Sequence, residues 1–441
     1  MPSAAATTSR DHHDSTPSIV RRNFVVLALH QAVMRTGWIF KTESVVMPAV
    51  LDTLSGSALL RGCLPMLNRL GQSAPPIFLA QFVHGLRHKR FFLAACTTAM
   101  GVSFLLMAWA WRQLDPIYPE LLTWIFVVLY TLFFVAAGLQ QVTLGTLTGK
   151  LVRIQRRGSL MTWANLAGGI SAILCAWFLL QPWMMAGRGH FVNIFLFAGV
   201  MFLFAAGLTF GVREQKEIDF PDKDGTWSNI RAAFLEAWHI TNYRRLVIIC
   251  FLYGLSITLF PHYQSLGRQR LGLGMGQLVP WLIAQNIGVT IFSIPVGWVA
   301  DRLGNRLAMR GLLLVISLTP LLALGLSQFV DLGPAGFWFV FLLLGLFPIT
   351  IRIISNYALE IAPHNDHANY LSVVNLAMSL PAILCAPLVG WAIDRWGFDL
   401  AFVSVACLVF LAFVLTPTLH EPRHQASAIQ IDLWKDPETE T

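Results

Sequence analysis

The 441-residue chain is 56% hydrophobic and only 12% charged, with a formal net charge of +8. Soluble globular chains carry about 25% charged residues, so a deficit spread along the whole length excludes a large water-soluble fold and points to a lipid-embedded one. The positive balance does not indicate nucleic-acid binding, because the basic residues sit in short loops between apolar runs and form no soluble basic face. Orientation in a membrane accounts for them better.

In chain order, residues 1–22 form a polar tail rich in Ser, Thr and His, and a poor signal peptide: the first apolar run comes late and is followed by many more. A crossing helix needs about 20 mostly apolar residues. Twelve stretches qualify: 24–51, 57–83, 91–112, 121–149, 159–183, 191–212, 243–266, 276–300, 307–328, 335–361, 368–393 and 398–419. The second is the most polar, with Arg61, Asn68, Arg69, Gln72 and the Pro75-Pro76 pair. The expected organisation is a six-helix bundle over 23–212, a linker over 213–242, a second six-helix bundle over 243–419 and a polar tail over 420–441. In the linker, Trp227, Ile230, Phe234 and Trp238 recur at helical spacing. They predict an amphipathic helix that lies on the membrane surface or packs beneath the bundles. Arg87, Lys89 and Arg90 follow span two, Lys150, Arg153, Arg156 and Arg157 follow span four, and Arg302, Arg306 and Arg310 follow span eight, while alternate loops hold fewer. The positive-inside bias places these loops and both termini in the cytoplasm.

Two stretches repeat. Val83 through Arg90 aligns with Val299 through Arg306, and Lys150 and Asn165 align with Glu360 and Asn375 at a nearby shift. Between spans eight and nine lie Asp301, Arg302, Gly304 and Arg306, with Gly297 before them: G-x-x-x-D-R-x-G-x-R. This pattern in a tight interhelical loop resembles the loop motif of the major facilitator superfamily of secondary transporters. The resemblance implies an all-α integral membrane protein of twelve transmembrane helices, in two six-helix pseudo-symmetric bundles. It also implies alternating access and a cytoplasmic latch made by Gly297, Asp301, Arg302, Gly304 and Arg306. The two glycines would let neighbouring helix ends approach. The first-half copy keeps Arg90, but has Gln81 and Gly85 where the motif has Gly and Asp. A second G-x-x-x-D-R-x-G string, from Gly390 to Gly397, ends span eleven on the opposite side and reads as an ordinary helix end and turn.

Ionisable groups deep in a bilayer cost at least about 2.5–3.5 kcal/mol, so they face a cavity or a partner. Arg35 lies roughly 16 Å into span one at 1.5 Å per residue, close to the midplane. Arg69 is central in span two, and Arg352, Asn356 and Glu360 share one face of span ten. By the resemblance, spans one, four, seven and ten line a central cavity. Arg35, Gln140, Gln141, His262, Gln264, Arg352 and Asn356 are therefore the candidate substrate contacts. Two arginines from opposite halves could clamp an anionic group. The competing reading pairs Arg35 with Glu43 and Arg352 with Glu360 as internal salt bridges, and makes Arg69 a staple to a neighbouring helix. Glu43, Asp52, Glu360 and His262 are the candidate proton carriers, Glu43 and Glu360 foremost; the competing reading makes Asp52 and Glu360 interfacial charges, and it is favoured for Asp52.

The expected function is secondary transport of a small organic solute, anionic or zwitterionic by preference, with protons as a candidate coupling ion. Efflux of drugs or amphiphiles is the alternative, disfavoured because span four lacks an arginine and Gly168-Gly169 in span five lacks the Gly-Pro pattern. A third reading is a non-transporting receptor or regulator on the same scaffold. No catalytic set, cofactor motif or metal-ligand spacing stands out. His84, His88, His364 and His367 have no Cys or carboxylate set beside them, and the six cysteines read as core residues. Partners are the solute, the bilayer and protons. The expected location is a plasma membrane, multi-pass, and short loops without an Asn-x-Ser/Thr acceptor point to a bacterial inner membrane.

Overall fold

The computed structural model describes residues 17–84, 86–115, 117–214, 239–329, 331–362 and 367–421. It is all-helical across them. Ten helical stretches are long and apolar enough to cross a membrane: Lys89–Leu114, Pro119–Leu151, Arg156–Ala186, Arg188–Thr209, Thr241–Leu271, Met275–Leu303, Asn305–Leu326, Gly333–Ile361, Tyr370–Trp396 and Phe398–Thr418. They correspond to expected spans three to twelve. Helices also stand where the first two spans are expected, Pro17–Ile39 with Val46–Leu54, and Ala58–His84. These are too polar to join the ten, because they carry Arg21, Arg22 and Arg35, and Arg61, Asn68 and Arg69. The candidate linker helix at 226–239 lies almost wholly outside the described residues.

The first expected span is not one helix. It stops at Ile39 and resumes at Val46, leaving residues 40–45 without regular helix. The shift that aligns Val83 with Val299 carries Thr42 onto Thr258. There the seventh span breaks too, between Thr241–Ile257 and Phe260–Leu271. Broken helices at matching places in two repeats are a transporter-like feature, tolerated only where other groups re-satisfy the freed backbone. Here Thr42 Oγ1 accepts from the Val46 amide, and the Met47 amide donates to the Thr42 carbonyl.

Packing repeats as well. In the first half, span one packs on spans five and six, span two on span four, and span three on spans four and six. In the second half, span seven packs on spans eleven and twelve, span eight on span ten, and span nine on spans ten and twelve. The same small residues permit the same crossing in each half. Gly71 and Gly138 bring spans two and four together, and a methyl on Gly71 would meet Phe134 Cβ at 2.5 Å. Gly288 and Gly345 do so for spans eight and ten, where a methyl on Gly345 would meet the Val289 nitrogen at 2.5 Å. Without a hydrophobic drive between helices in lipid, close backbone approach is a main source of their association.

Among the described residues, the main contacts between the two halves gather toward one face. Contacts between them join Ala58–His84 to Ala386–Trp396 and to His367–Leu384, Phe260–Leu271 to Val46–Leu54, and the end of the fifth span to the start of the eighth. These contacts lie midway or on the side away from the basic loops; that side is called the opposite face below.

Candidate functional site

Arg35 stands in the first half and Arg352 in the second. Both side chains are exposed, as is Asn356 one turn from Arg352. Arg35 donates from NH1 to Asn165 Oδ1 at 2.7 Å. Gly168 sets that contact up: a methyl there would meet Ala32 Cα at 2.9 Å and Arg35 Cβ at 3.0 Å, so only glycine lets span five sit this close to span one. Thr36 and Ser171 add a hydroxyl contact at 2.6 Å one turn on. Asn165 was visible in the sequence only as a repeat match. Its role could have been sought from the Gly168-Gly169 pair, which marks a close helix crossing.

The competing salt bridges do not form. Glu43 accepts from Lys41 Nζ at 3.3 Å and from Asn68 Nδ2 at 2.6 and 2.8 Å. Lys41 is buried, and its ammonium lies 3.9 Å from the Trp38 ring centroid and 4.3 Å from that of Phe134. This knot closes the break in span one. Glu360 accepts from Asn305 Nδ2 at 2.9 Å, which ties it to the loop motif rather than to Arg352.

Gln140 is buried beside His30, which the sequence reading passed over. His30 Nδ1 lies 2.9 Å from the Ala205 carbonyl and must donate to it, so Nε2 accepts from Gln140 Nε2 at 3.3 Å. Gln141 is exposed. His262 and Gln264 are fully buried on the opposite face, away from Arg35. Gln264 Nε2 donates to Asp52 Oδ2 at 2.8 Å, and neither ring nitrogen of His262 has a hydrogen-bond partner among the described residues.

The loop motif holds its own half together. Arg306 donates from NH1 to the Leu419 carbonyl at 2.8 Å, and its backbone amide donates to Glu421 Oε2 at 3.3 Å. Arg90 does the same in the first half, donating from NH1 to the Val212 carbonyl at 2.7 Å and from its amide to Glu214 Oε2 at 2.9 Å. Each carboxylate follows the sixth span of its half and sits at the start of the third, where the helix dipole favours it. The expectation that Gly297 lets helix ends approach is corrected: a methyl there would meet nothing within 4 Å. Gly304 is needed for another reason, a φ of +97° and the Glu421 carboxylate packed where its Cβ would stand. Arg302 stacks on Trp298, 5.1 Å from the ring centroid, and Asp301 ends the same helix.

The hydrogen bonds between halves, among the described residues, gather on the opposite face. Asp52 accepts from Gln264, from Ser265 Oγ at 3.0 Å and from Arg268 NH1 at 3.5 Å, all in the second half, and pairs with Arg61 in its own. Ser44 Oγ donates to Gln285 Oε1 at 2.7 Å, and Gln181 Nε2 to the Gly276 carbonyl at 3.0 Å. Asp52 is therefore not a lone interfacial charge.

Residues 276–436 match the sequence model described as Major Facilitator Superfamily. No curated protein matches the chain. Solved structures similar in fold include the nucleoside transporter NupG, with TM-score 0.65 at 12% identity over 90% of this chain and 98% of that one. A D-xylose-proton symporter has TM-score 0.66 at 13% identity over 90% and 98%. A POT family transporter in complex with 5-aminolevulinic acid has TM-score 0.65 at 12% identity over 90% and 95%. The chain thus matches the Major Facilitator Superfamily model in sequence over residues 276–436, and over nine-tenths of its length it has the fold of these solved transporters.

Proposed function

We propose that this protein is a secondary transporter that carries a small organic anion or zwitterion by alternating access across a plasma membrane. The ten apolar spans and the two polar ones make twelve crossings, with the basic loops and both termini in the cytoplasm. The neighbours in fold transport or bind a nucleoside, a sugar with protons and 5-aminolevulinic acid, so the scaffold alone leaves the solute open. The observation that carries the substrate class is an exposed arginine in each half, Arg35 and Arg352, with Glu43 engaged by Lys41 and Asn68 and Glu360 by Asn305 instead. Guanidinium groups on spans facing a common cavity are costly alone and would be stabilised by an anion between them. Asn165 orients one of them, and Asn356 and Gln141 offer neutral hydrogen bonds nearby. His262 and Gln264 act in the seam between halves rather than on the solute.

Uptake into proteoliposomes tests the reading. A panel of labelled carboxylates, amino acids, nucleosides, sugars and cationic dyes is offered to wild type, Arg35→Gln and Arg352→Gln. Uptake of an anion or zwitterion, lost in both variants, supports it. Transport confined to neutral or cationic solutes, with both variants active, overturns it and favours the efflux reading.

A further inference from the structure

The Gly390-to-Gly397 string, read from sequence as an ordinary helix end, does more than end a helix. Asp394 reaches across to the other half and caps the start of Ala58–His84. Its Oδ1 accepts from the Ala58 amide at 2.8 Å, and its Oδ2 accepts from the Leu59 amide at 2.9 Å and from Ser57 Oγ at 3.0 Å. The first amides of a helix have no partner within it, and here a different half of the molecule supplies one. The glycines of the seam make the reach possible. A methyl on Gly390 would strike the Ala58 carbonyl oxygen, and one on Gly62 the Ala386 carbonyl oxygen. Asp52, close by on the same face, reaches the other way, from the first half to Gln264, Ser265 and Arg268.

We infer that Asp394 and Asp52 form a reciprocal lock that holds the opposite face shut, and that the solute path opens on that face only when both carboxylates release their partners across the seam. Each half contributes one acceptor and a matching set of donors, so separating the halves strips both carboxylates of their partners across the seam at once. Opening is then cooperative: losing the Asp394 cap exposes the Ser57 end of the helix that carries Arg61, and Arg61 is the partner Asp52 keeps in its own half. In the string at Gly297 to Arg306, the arginine and Gly304 engage Glu421 of the same half.

The test uses full-length protein in lipid nanodiscs, with its six native cysteines replaced and spin labels at Ile117 and Leu332, exposed positions on the opposite face of the two halves. A second pair, at Arg153 and Leu303, reports the basic face. Asp394→Ala is expected to raise the ratio of long to short distances at the Ile117–Leu332 pair about fivefold, the usual effect of losing an N-cap, with the basic-face pair shortening in step. Asp394→Asn keeps a capping oxygen and is expected to shift the ratio far less. Arg268→Gln, which weakens Asp52 without touching the cap, is expected to shift it in the same direction as Asp394→Ala. Wild-type distance distributions in both Asp394→Ala and Arg268→Gln overturn the lock, as does an Asp394→Asn shift as large as that of alanine. None of these substitutions touches Arg35 or Arg352, so the result is independent of the solute's charge.

Discussion

Replacing Gly304 by alanine tests what the loop motif does, and Gly397 supplies the control. Both glycines have backbone conformations that L side chains avoid, φ +97° and ψ 154° at Gly304, φ +83° and ψ 178° at Gly397. Forcing a side chain into that region costs about 1–3 kcal/mol at either site. At Gly397 a Cβ meets nothing within 4 Å, so the strain is the whole effect. At Gly304 the new Cβ would lie 2.6 Å from Glu421 Cδ, and the carboxylate must leave. Arg306 is 35% exposed and Glu421 3%. Their ion pair therefore contributes little. The larger loss is a buried carboxylate deprived of its donors, about 1–3 kcal/mol. Gly304→Ala is therefore expected to cost about 2–6 kcal/mol and Gly397→Ala about half that. Thermal unfolding in detergent, followed by tryptophan fluorescence at one scan rate, ranks the two. Combining Gly304→Ala with Glu421→Gln should cost less than the sum, because the carboxylate is already displaced. Equal losses at the two glycines, or strict additivity with Glu421→Gln, would refute the brace within the second half.

Three further outcomes follow from the same geometry. Glu43→Gln leaves the buried Lys41 ammonium without its anion and is expected to destabilise the protein by about 3–5 kcal/mol, and Lys41→Met in the same chain should recover most of it; a Glu43→Gln protein as stable as wild type contradicts the knot at the span-one break. Asn165→Ala should weaken binding of the transported anion about tenfold, the effect of losing a hydrogen bond to a charged group, while Asn165→Asp, which neutralises Arg35, should weaken it more; calorimetric titration separates them, and unchanged affinity in both variants removes Asn165 from the site. Gly168→Val should lower both stability and anion affinity, since it pushes span five off Ala32 and Arg35; a stability loss with affinity intact would detach the crossing from the site.

Much of this was legible in the sequence. Long apolar runs marked twelve crossings, of which ten are helices long and apolar enough to span, because length and hydropathy are one-dimensional properties, and the paired strings around Arg90 and Arg306 exposed the repeat. The break at 40–45 was hidden: no Gly or Pro marks it, and what holds it is Asn68, in another span. Arg35 and Arg352 were nominated by depth and by the spans that the resemblance puts around the cavity, and the Asn165 contact that orients Arg35 is a tertiary fact. The two G-x-x-x-D-R-x-G strings look alike in sequence. One braces a single half and the other caps a helix 336 residues away, a difference set by which face each end reaches. Glu214 and Glu421 escaped notice for a similar reason, lying just past apolar runs where a lone carboxylate reads as a solvated end.

The central claim is that an anion is held between Arg35 and Arg352. Its most direct measurement is ligand-dependent stability of the purified protein, with small carboxylates set against their uncharged amides of the same shape. The account predicts that a carboxylate, and not its amide, raises the unfolding temperature, and that Arg35→Gln and Arg352→Gln each abolish the rise. Equal stabilisation by acid and amide, undiminished in either variant, would contradict it.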